Sequence, residues 1–300
     1  GEGGWQISSP VVDGADADAV ERYVRNIAEA EREKVVADSA EASAASTAAR
    51  YGLAAPRLKV LLTTEDGPLD TLLFGADTPT DRYTYVQQSG ANPEIFAVRA
   101  WRFDNLNKGV FDLRDRRVMD FSKGDVAAAQ RRGASGEIAL AKENGEWQLS
   151  APVAARAATG AIEALLAKIE SSQIESFVDE NPDRQTLEEY GLAPAAHVEW
   201  TLMMGADRGE KRLSIGRDDG EGRYYARAAE RQQVFLVDST LVQKLTQSAD
   251  ELRDKKPLRL DRDAITGIEL RRSGALVLQA AKDSAGVWSL AAPQREEAKS

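Results

Sequence analysis

The sequence predicts an α+β fold made of two tandem duplicated units, each a mostly antiparallel sheet with about two helices. Three observations carry this. Trp5-Gln6-Ile7-Ser8-Ser9-Pro10, Trp147-Gln148-Leu149-Ser150-Ala151-Pro152 and Trp288-Ser289-Leu290-Ala291-Ala292-Pro293 recur at near-constant steps of 142 and 141 residues, the sign of internal duplication. Tyr51-Gly52-Leu53 is repeated as Tyr190-Gly191-Leu192. Between these motifs, helix-period stripes are mixed with short alternating runs separated by Gly and Asp breaks. The units are bounded at 1–146 and 147–293, with 288–293 either closing the second unit or opening a third, and 294–300 as a polar, frayed tail.

Each unit is read in the same order. The Trp-to-Pro stretch alternates, with Trp5 and Ile7 on one face, and Pro10 stops the strand. Val20, Val24 and Ile27 then recur at helical spacing, predicting an amphipathic helix over about 16–34 with Asp16 and Asp18 at its positive end. Ile162, Leu165, Leu166 and Ile169 repeat the stripe in the second unit, with Thr159 as the expected cap. Next comes the Tyr-Gly-Leu element. A glycine there takes the left-handed conformation that ends a helix, the leucine folds back, and Pro56 or Pro194 prevents restart.

An antiparallel meander follows. Leu58–Thr64 matches His197–Met203, and Leu69–Phe74 matches Lys211–Ile215. Arg82-Tyr83-Thr84-Tyr85-Val86 matches Arg223-Tyr224-Tyr225-Ala226-Arg227, and Ile95–Val98 matches Val234–Val237. The change of step predicts two extra residues in the first unit's hairpin near Gln87–Pro93. A second helix lines up Leu241, Leu245, Ala249 and Leu252 behind Asp238 or Ser239. Its counterpart over Trp101–Leu113 is interrupted by Gly109. Both end in Leu-Arg-Asp, at 113–115 and 252–254. Ala264–Arg271 and Ala275–Ala280 are the last strands, with fainter equivalents at Asp125–Arg131 and Glu137–Ala141. Each pair leads through a polar turn into a tryptophan strand, as in a hairpin.

These motifs, in this order and found twice, resemble the bacterial domain of unknown function 4340. The resemblance spans nearly the whole chain. It implies a membrane-tethered extracytoplasmic protein whose N-terminal transmembrane segment lies outside these residues. It also implies association with ABC-transporter components of the gliding-motility type. It brings no catalytic residues.

Composition narrows the chemistry. With a net charge of −10 and a sequence pI near 4.9, the chain repels phosphate backbones, so no nucleic-acid partner is expected. It has no cysteine, which removes disulfides, thiolate nucleophiles and Cys-type zinc sites. No run reaches the length of a transmembrane helix. Gly1–Gly4 runs directly into a repeat motif, so the chain is expected to begin inside a longer protein.

The candidates for chemistry each have a structural explanation. Asp112 with Asp115, and Glu251 with Asp254, set carboxylates three residues apart, as acid–base work or cation binding would need. The arginines and lysines among and after them favour salt-bridged helix ends instead. His197 is the only histidine and cannot supply a multi-histidine metal site. No nucleophile elbow, phosphate loop or dinucleotide fingerprint is present. Tyr83, Tyr85, Tyr224 and Tyr225, with Arg82 and Arg223, have the composition of an interface hot spot, but core packing with the hydroxyl at the rim explains them better. We therefore expect no catalytic, cofactor-binding or metal residues. The expected function is a non-catalytic scaffold or interaction subunit of a membrane complex of the ABC-transporter type, periplasmic or otherwise extracytoplasmic. The alternatives are a cell-envelope binder of glycan or lipid and, third, an envelope-polymer hydrolase.

Overall fold

The computed structural model describes residues 4–89, 93–134, 136–206, 208–256, 258, 260–292 and 296–297. The first part holds β1 (Gln6–Ile7), β2 (Asp13–Gly14), α1 (Ala17–Ala28), β3 (Lys34–Ala37), α2 (Ser39–Ala42) and α3 (Ala45–Arg50). It continues with β4 (Leu58–Thr64), β5 (Gly67–Asp77), β6 (Tyr83–Ser89), β7 (Glu94–Arg99), α4 (Ala100–Leu106) and α5 (Val110–Leu113). The middle part holds β8 (Val126–Gly133), β9 (Ile138–Glu143), β10 (Glu146–Ala151), β11 (Ala155–Arg156), α6 (Thr159–Ser171), β12 (Ser176–Asp179) and α7 (Arg184–Glu189). After these come β13 (Val198–Met204), β14 (Glu210–Asp218), β15 (Arg223–Ala228), β16 (Val234–Asp238), α8 (Ser239–Leu245) and α9 (Ala249–Leu252). The last part is β17 (Gly267–Arg272), β18 (Ala275–Lys282), β19 (Trp288–Ala292) and β20 (Glu296–Glu297).

The sheets are out of phase with the sequence repeat. A nine-stranded sheet runs β11-β10-β9-β8-β13-β14-β15-β16-β12, a five-stranded sheet runs β3-β7-β6-β5-β4, and a four-stranded sheet runs β17-β18-β19-β20. Thus β8, β9 and the Trp147 strand β10 join the sheet of the second unit through the antiparallel β8·β13 ladder, in which Leu202 faces Ala129 and Trp200 faces Arg131. The 146/147 junction lies inside a sheet. The Trp288 strand belongs to the separate last sheet, in which β19 pairs with β20 as β10 pairs with β11. It therefore does not join the sheet of the second unit. Of the tail expected to fray, Glu296 and Glu297 pair with β19; Pro293 and the remainder lie outside the described residues.

The duplication holds at the matched motifs. Ala15 N–H donates to the Trp5 carbonyl and Ala157 N–H to the Trp147 carbonyl, both at 3.0 Å. Gly52 and Gly191 have φ of 72° and 70°. Leu53 and Leu192 donate back to the Ala48 and Leu187 carbonyls at 2.7 and 2.8 Å, the expected helix-ending geometry. Behind each cap a strand glycine is required. A Cβ on Gly75 or Gly216 would lie 2.2 or 2.1 Å from the Tyr51 or Tyr190 carbonyl oxygen.

Several expectations change. The first helix ends at Ala28, and the short Lys34–Ala37 becomes an edge strand, as Ser176–Asp179 does later. Thr159 is the first helical residue of α6, not a side-chain cap; Ala158 occupies the cap position. The second helix of the second unit breaks at Thr246–Ser248, because Ser248 and Glu251 form a capping box that starts α9. The two extra residues are divided between two turns. Thr78 N–H bonds the Tyr83 carbonyl where Asp219 bonds that of Arg223, which places one of them before Tyr83. Pairing of Val86 with Phe96, against Ala226 with Phe235, leaves only one in the hairpin.

The main core spans β8–β16 with α6, α8 and α9. Trp147 is 2% exposed within it, whereas Trp5 is 52% exposed and Trp288 is half-buried. The same residue type at the same register position therefore carries different weight. Trp147→Ala should destabilise the central body by about 3–5 kcal/mol in denaturant unfolding, and Trp5→Ala should change stability by about 0.5 kcal/mol or less. Equal effects would contradict this asymmetry.

Gly191→Ala should cost about 1–2 kcal/mol for the left-handed backbone. Gly216→Ala should cost more, because a backbone oxygen blocks its Cβ; the two melting temperatures measured side by side would reverse that order if the close approach were absent.

Candidate interaction surface

The carboxylates singled out in the sequence are held by local structure. Asp112 accepts from Gly109 N–H at 2.9 Å, and Glu251 accepts from Ser248 N–H at 2.8 Å, each closing the start of a one-turn helix. Asp254 accepts from Lys256 N–H at 3.0 Å. Asp115 is ion-paired with Arg117 at 2.7 Å and lies 3.6 Å from Arg231. His197 is exposed, and its carbonyl lies against Gly133, where a Cβ would approach to 2.4 Å. Among the described residues no group of three or more His, Cys, Asp or Glu side chains could hold a metal ion, and no helix is long and apolar enough to cross a membrane.

The tyrosines are shared differently from the sequence match. Strand pairing aligns Tyr83 with Arg223 and Tyr85 with Tyr225. Tyr85 packs on Tyr51 with ring centroids 4.6 Å apart, and Tyr225 stacks on Tyr190 at 4.5 Å. Each pair fixes a Tyr-Gly-Leu cap to the meander. Tyr224 packs against the main core, Tyr83 lies under the Arg99 guanidinium, and Arg223 pairs with Asp219 at 2.7 Å. These rings are packing elements, with no common face.

The feature that sequence reading passed over is Arg114, the arginine of the first Leu-Arg-Asp. Its backbone bridges Ala15, as Arg253 bridges Ala157. Its side chain differs from that of Arg253: Arg114 is 3% exposed, whereas Arg253 is exposed. Nε donates to Asp13 at 2.6 Å, and the two terminal nitrogens donate to Glu180, both at 2.7 Å. The guanidinium lies 3.4 Å from the Phe177 ring centroid. Ala155 stands where the first unit has Asp13. Arg114 therefore ties the start of the first unit to β12 and the loop after it. Charge-assisted bidentate bonds and ring stacking suit arginine to this position, and lysine could not replace it.

Around it, Arg231 donates to the Asp115 carbonyl at 3.1 Å, and Val118 and Ile174 exchange backbone bonds with Ser172 and Arg116. The linker after α5 is thus threaded between the two bodies.

Burial opposes ionisation of Asp115, but hydrogen bonds and charge from Arg117, with Arg231 behind, outweigh it and hold the carboxyl below its ordinary value. Burial likewise opposes the charge on Arg114, and its bonds to Glu180 and Asp13 raise its pKa despite that.

Arg114→Met should cost about 3 kcal/mol, the lower end for removing one partner of a buried pair, and should split one unfolding transition into two if the clip couples the bodies. A single unshifted transition would show that it does not. Since the Asp115 pKa is depressed by folding, its contribution is complete above the ordinary carboxylate value and is lost as pH falls through the depressed one. Stability measured downward from neutral pH should hold until that acid range, and Asp115→Asn should flatten the final fall. A loss already complete by mildly acidic pH would contradict the assignment.

The family model for the domain of unknown function DUF4340 matches the chain twice, over residues 5–148 and 147–300, and the chain belongs to that family. No curated protein and no solved structure matches it.

Proposed function

We propose that this DUF4340 chain is a non-catalytic, extracytoplasmic scaffold or interaction subunit of a membrane complex, associated with an ABC transporter. The observation that supports it best is the use of the polar residues. Asp112 and Glu251 cap helices, Asp115 pairs with Arg117, Asp254 accepts from a backbone N–H, and Arg114 holds two bodies together. A catalytic constellation needs convergent groups left available to substrate. A duplicated body clipped at its junction suits presentation of surfaces at a fixed spacing. The membrane location and the transporter partner rest on the family resemblance.

A second reading, an envelope lipid or glycan binder, is favoured by one feature. An apolar groove of about 360 Å³ opens on the five-stranded sheet, with Arg32, Asp70 and Gln88 as the polar part of its lining. Pockets of this size and lining commonly take small apolar ligands.

The test combines the protein with envelope glycans, peptides and detergent-extracted membranes, and scores turnover and retention separately. The scaffold reading expects saturable retention of a membrane protein with no turnover, unchanged by Glu251→Gln or Asp254→Asn. Turnover that either substitution abolishes would replace it with an enzyme.

A further inference from the structure

We infer that the cleft between α1 and the α4–α5 segment of the first unit is a binding site for an acidic saccharide, a sugar that carries a carboxylate. The cleft is separate from the apolar groove, and the inference does not depend on the membrane-partner reading.

The helices bring unengaged polar groups together. Arg22 and Tyr23 precede Asn26 by four and three residues, so the three share one face of α1. Asn105 and Lys108, from the end of α4 and the turn after it, line the same cleft, with Asp112 of α5. Its volume is about 400 Å³, in the usual range for small-molecule sites. Arg102 fixes its walls by donating to the Asn26 and Glu29 carbonyls at 3.0 and 2.6 Å. Among the described residues, the side chains of Arg22, Tyr23, Asn26, Asn105 and Lys108 make no hydrogen bond or ion pair within the chain. The repeated carboxylates and Arg114 are tied into the fold, and these side chains are not.

The second unit keeps the scaffold of this cleft and changes its lining. Val20, Ile27, Leu106 and Leu113 match Ile162, Ile169, Leu245 and Leu252. Arg22, Tyr23 and Lys108 are replaced by Ala164, Leu165 and Gln247, and Lys168, in the place of Asn26, pairs with Asp238 at 3.4 Å. Ala164 is exposed in the central body with β8–β10 in place, so this side of the helices stays open where the sheet is filled. Packing accounts for the shared apolar residues and does not call for the polar set of the first unit.

The lining selects the ligand. A guanidinium and an ammonium group hold a carboxylate by charge-assisted hydrogen bonds. The two carboxamides donate to and accept from hydroxyls. Burial holds the Tyr23 phenol above its ordinary pKa, so it serves as a neutral donor, and its ring offers an apolar face to a sugar ring. Asp112, which accepts from Gly109 N–H at 2.9 Å, can also accept from a sugar hydroxyl, and it repels a phosphate dianion. Cations, amides, a ring and one carboxylate in a single cleft therefore fit a hydroxyl-rich monoanion.

Proton–nitrogen correlation spectra of the full chain, titrated with D-glucuronate, glucose and inorganic phosphate, test this. Glucuronate should shift the Asn26 and Asn105 side-chain amides saturably at millimolar concentration. Glucose, which lacks the carboxylate, should bind about tenfold more weakly, the loss of one charged hydrogen bond. Arg22→Ala, Tyr23→Leu and Lys108→Gln each install the residue of the second unit, so each should keep the wild-type melting temperature. Arg22→Ala and Lys108→Gln should each weaken glucuronate binding about tenfold on the same grounds and leave glucose binding unchanged. Tyr23→Leu should weaken both sugars. Absence of a saturable shift with glucuronate would overturn the inference, as would binding indifferent to Arg22→Ala. Phosphate bound as tightly as glucuronate would also overturn it and assign the cleft to a phosphate group.

Discussion

The β8·β13 ladder is the contact on which the rest of this structure depends. It carries β8 and β9 from the end of one sequence repeat into the sheet of the next, and residues of both strands belong to the main core. Trp147 is buried between β10 and α6, and Trp200 donates from Nε1 to the Leu245 carbonyl at 3.0 Å beneath the same layer. Arg131, on β8, reaches the Gln247 carbonyl at 2.6 Å, so the spliced strand also holds the break between α8 and α9. Where the ladder is missing, as at β4, the same helix stripe stays partly exposed. Val24 of α1 is exposed, while Leu166, its counterpart in α6, is buried.

This arrangement makes the linker between repeats a structural element. The chain from Leu113 to Val118 bonds back to the start of the first repeat and forward to the loop after α6. Arg114 adds charge and ring stacking to that backbone clip. A buried arginine is tolerated here because two carboxylates and a ring surround it; without them its desolvation would be prohibitive. The second Leu-Arg-Asp keeps the backbone bridge to Ala157, but among the described residues it has neither the aspartate nor the aromatic neighbour, so the motif alone does not make the clip.

Local signals were legible in the sequence, and long-range ones were not. The Tyr-Gly-Leu caps, the tryptophan hairpins and the faint strands at Asp125–Arg131 and Glu137–Ala141 each depend on a few neighbouring residues, and they stand where expected. Edge strands β3 and β12 were missed because Lys34–Ala37 and Ser176–Asp179 are short and polar-flanked, and pairing with β7 and β16 makes them strands. The alignment of Tyr83 with Tyr224 failed because one residue was gained in the turn before Tyr83, and a one-residue slip exchanges the faces of a strand. Arg114 read as one charge in a solvated run because Phe177 and Glu180, which bury it, are distant in sequence. Sheet membership was the largest omission. Repeat boundaries mark where a pattern restarts, and hydrogen bonding decides where a body ends.

Native-state hydrogen exchange of the whole chain tests that central point most directly, since amides of one cooperative body open together. The account predicts that the β8·β13 amides near Ala129 and Arg131 exchange with the same opening free energy as those of Leu213 and Phe235 in the body's interior. Exchange of the β8 and β9 amides with those of β5 and β6, following the sequence repeat, would contradict it.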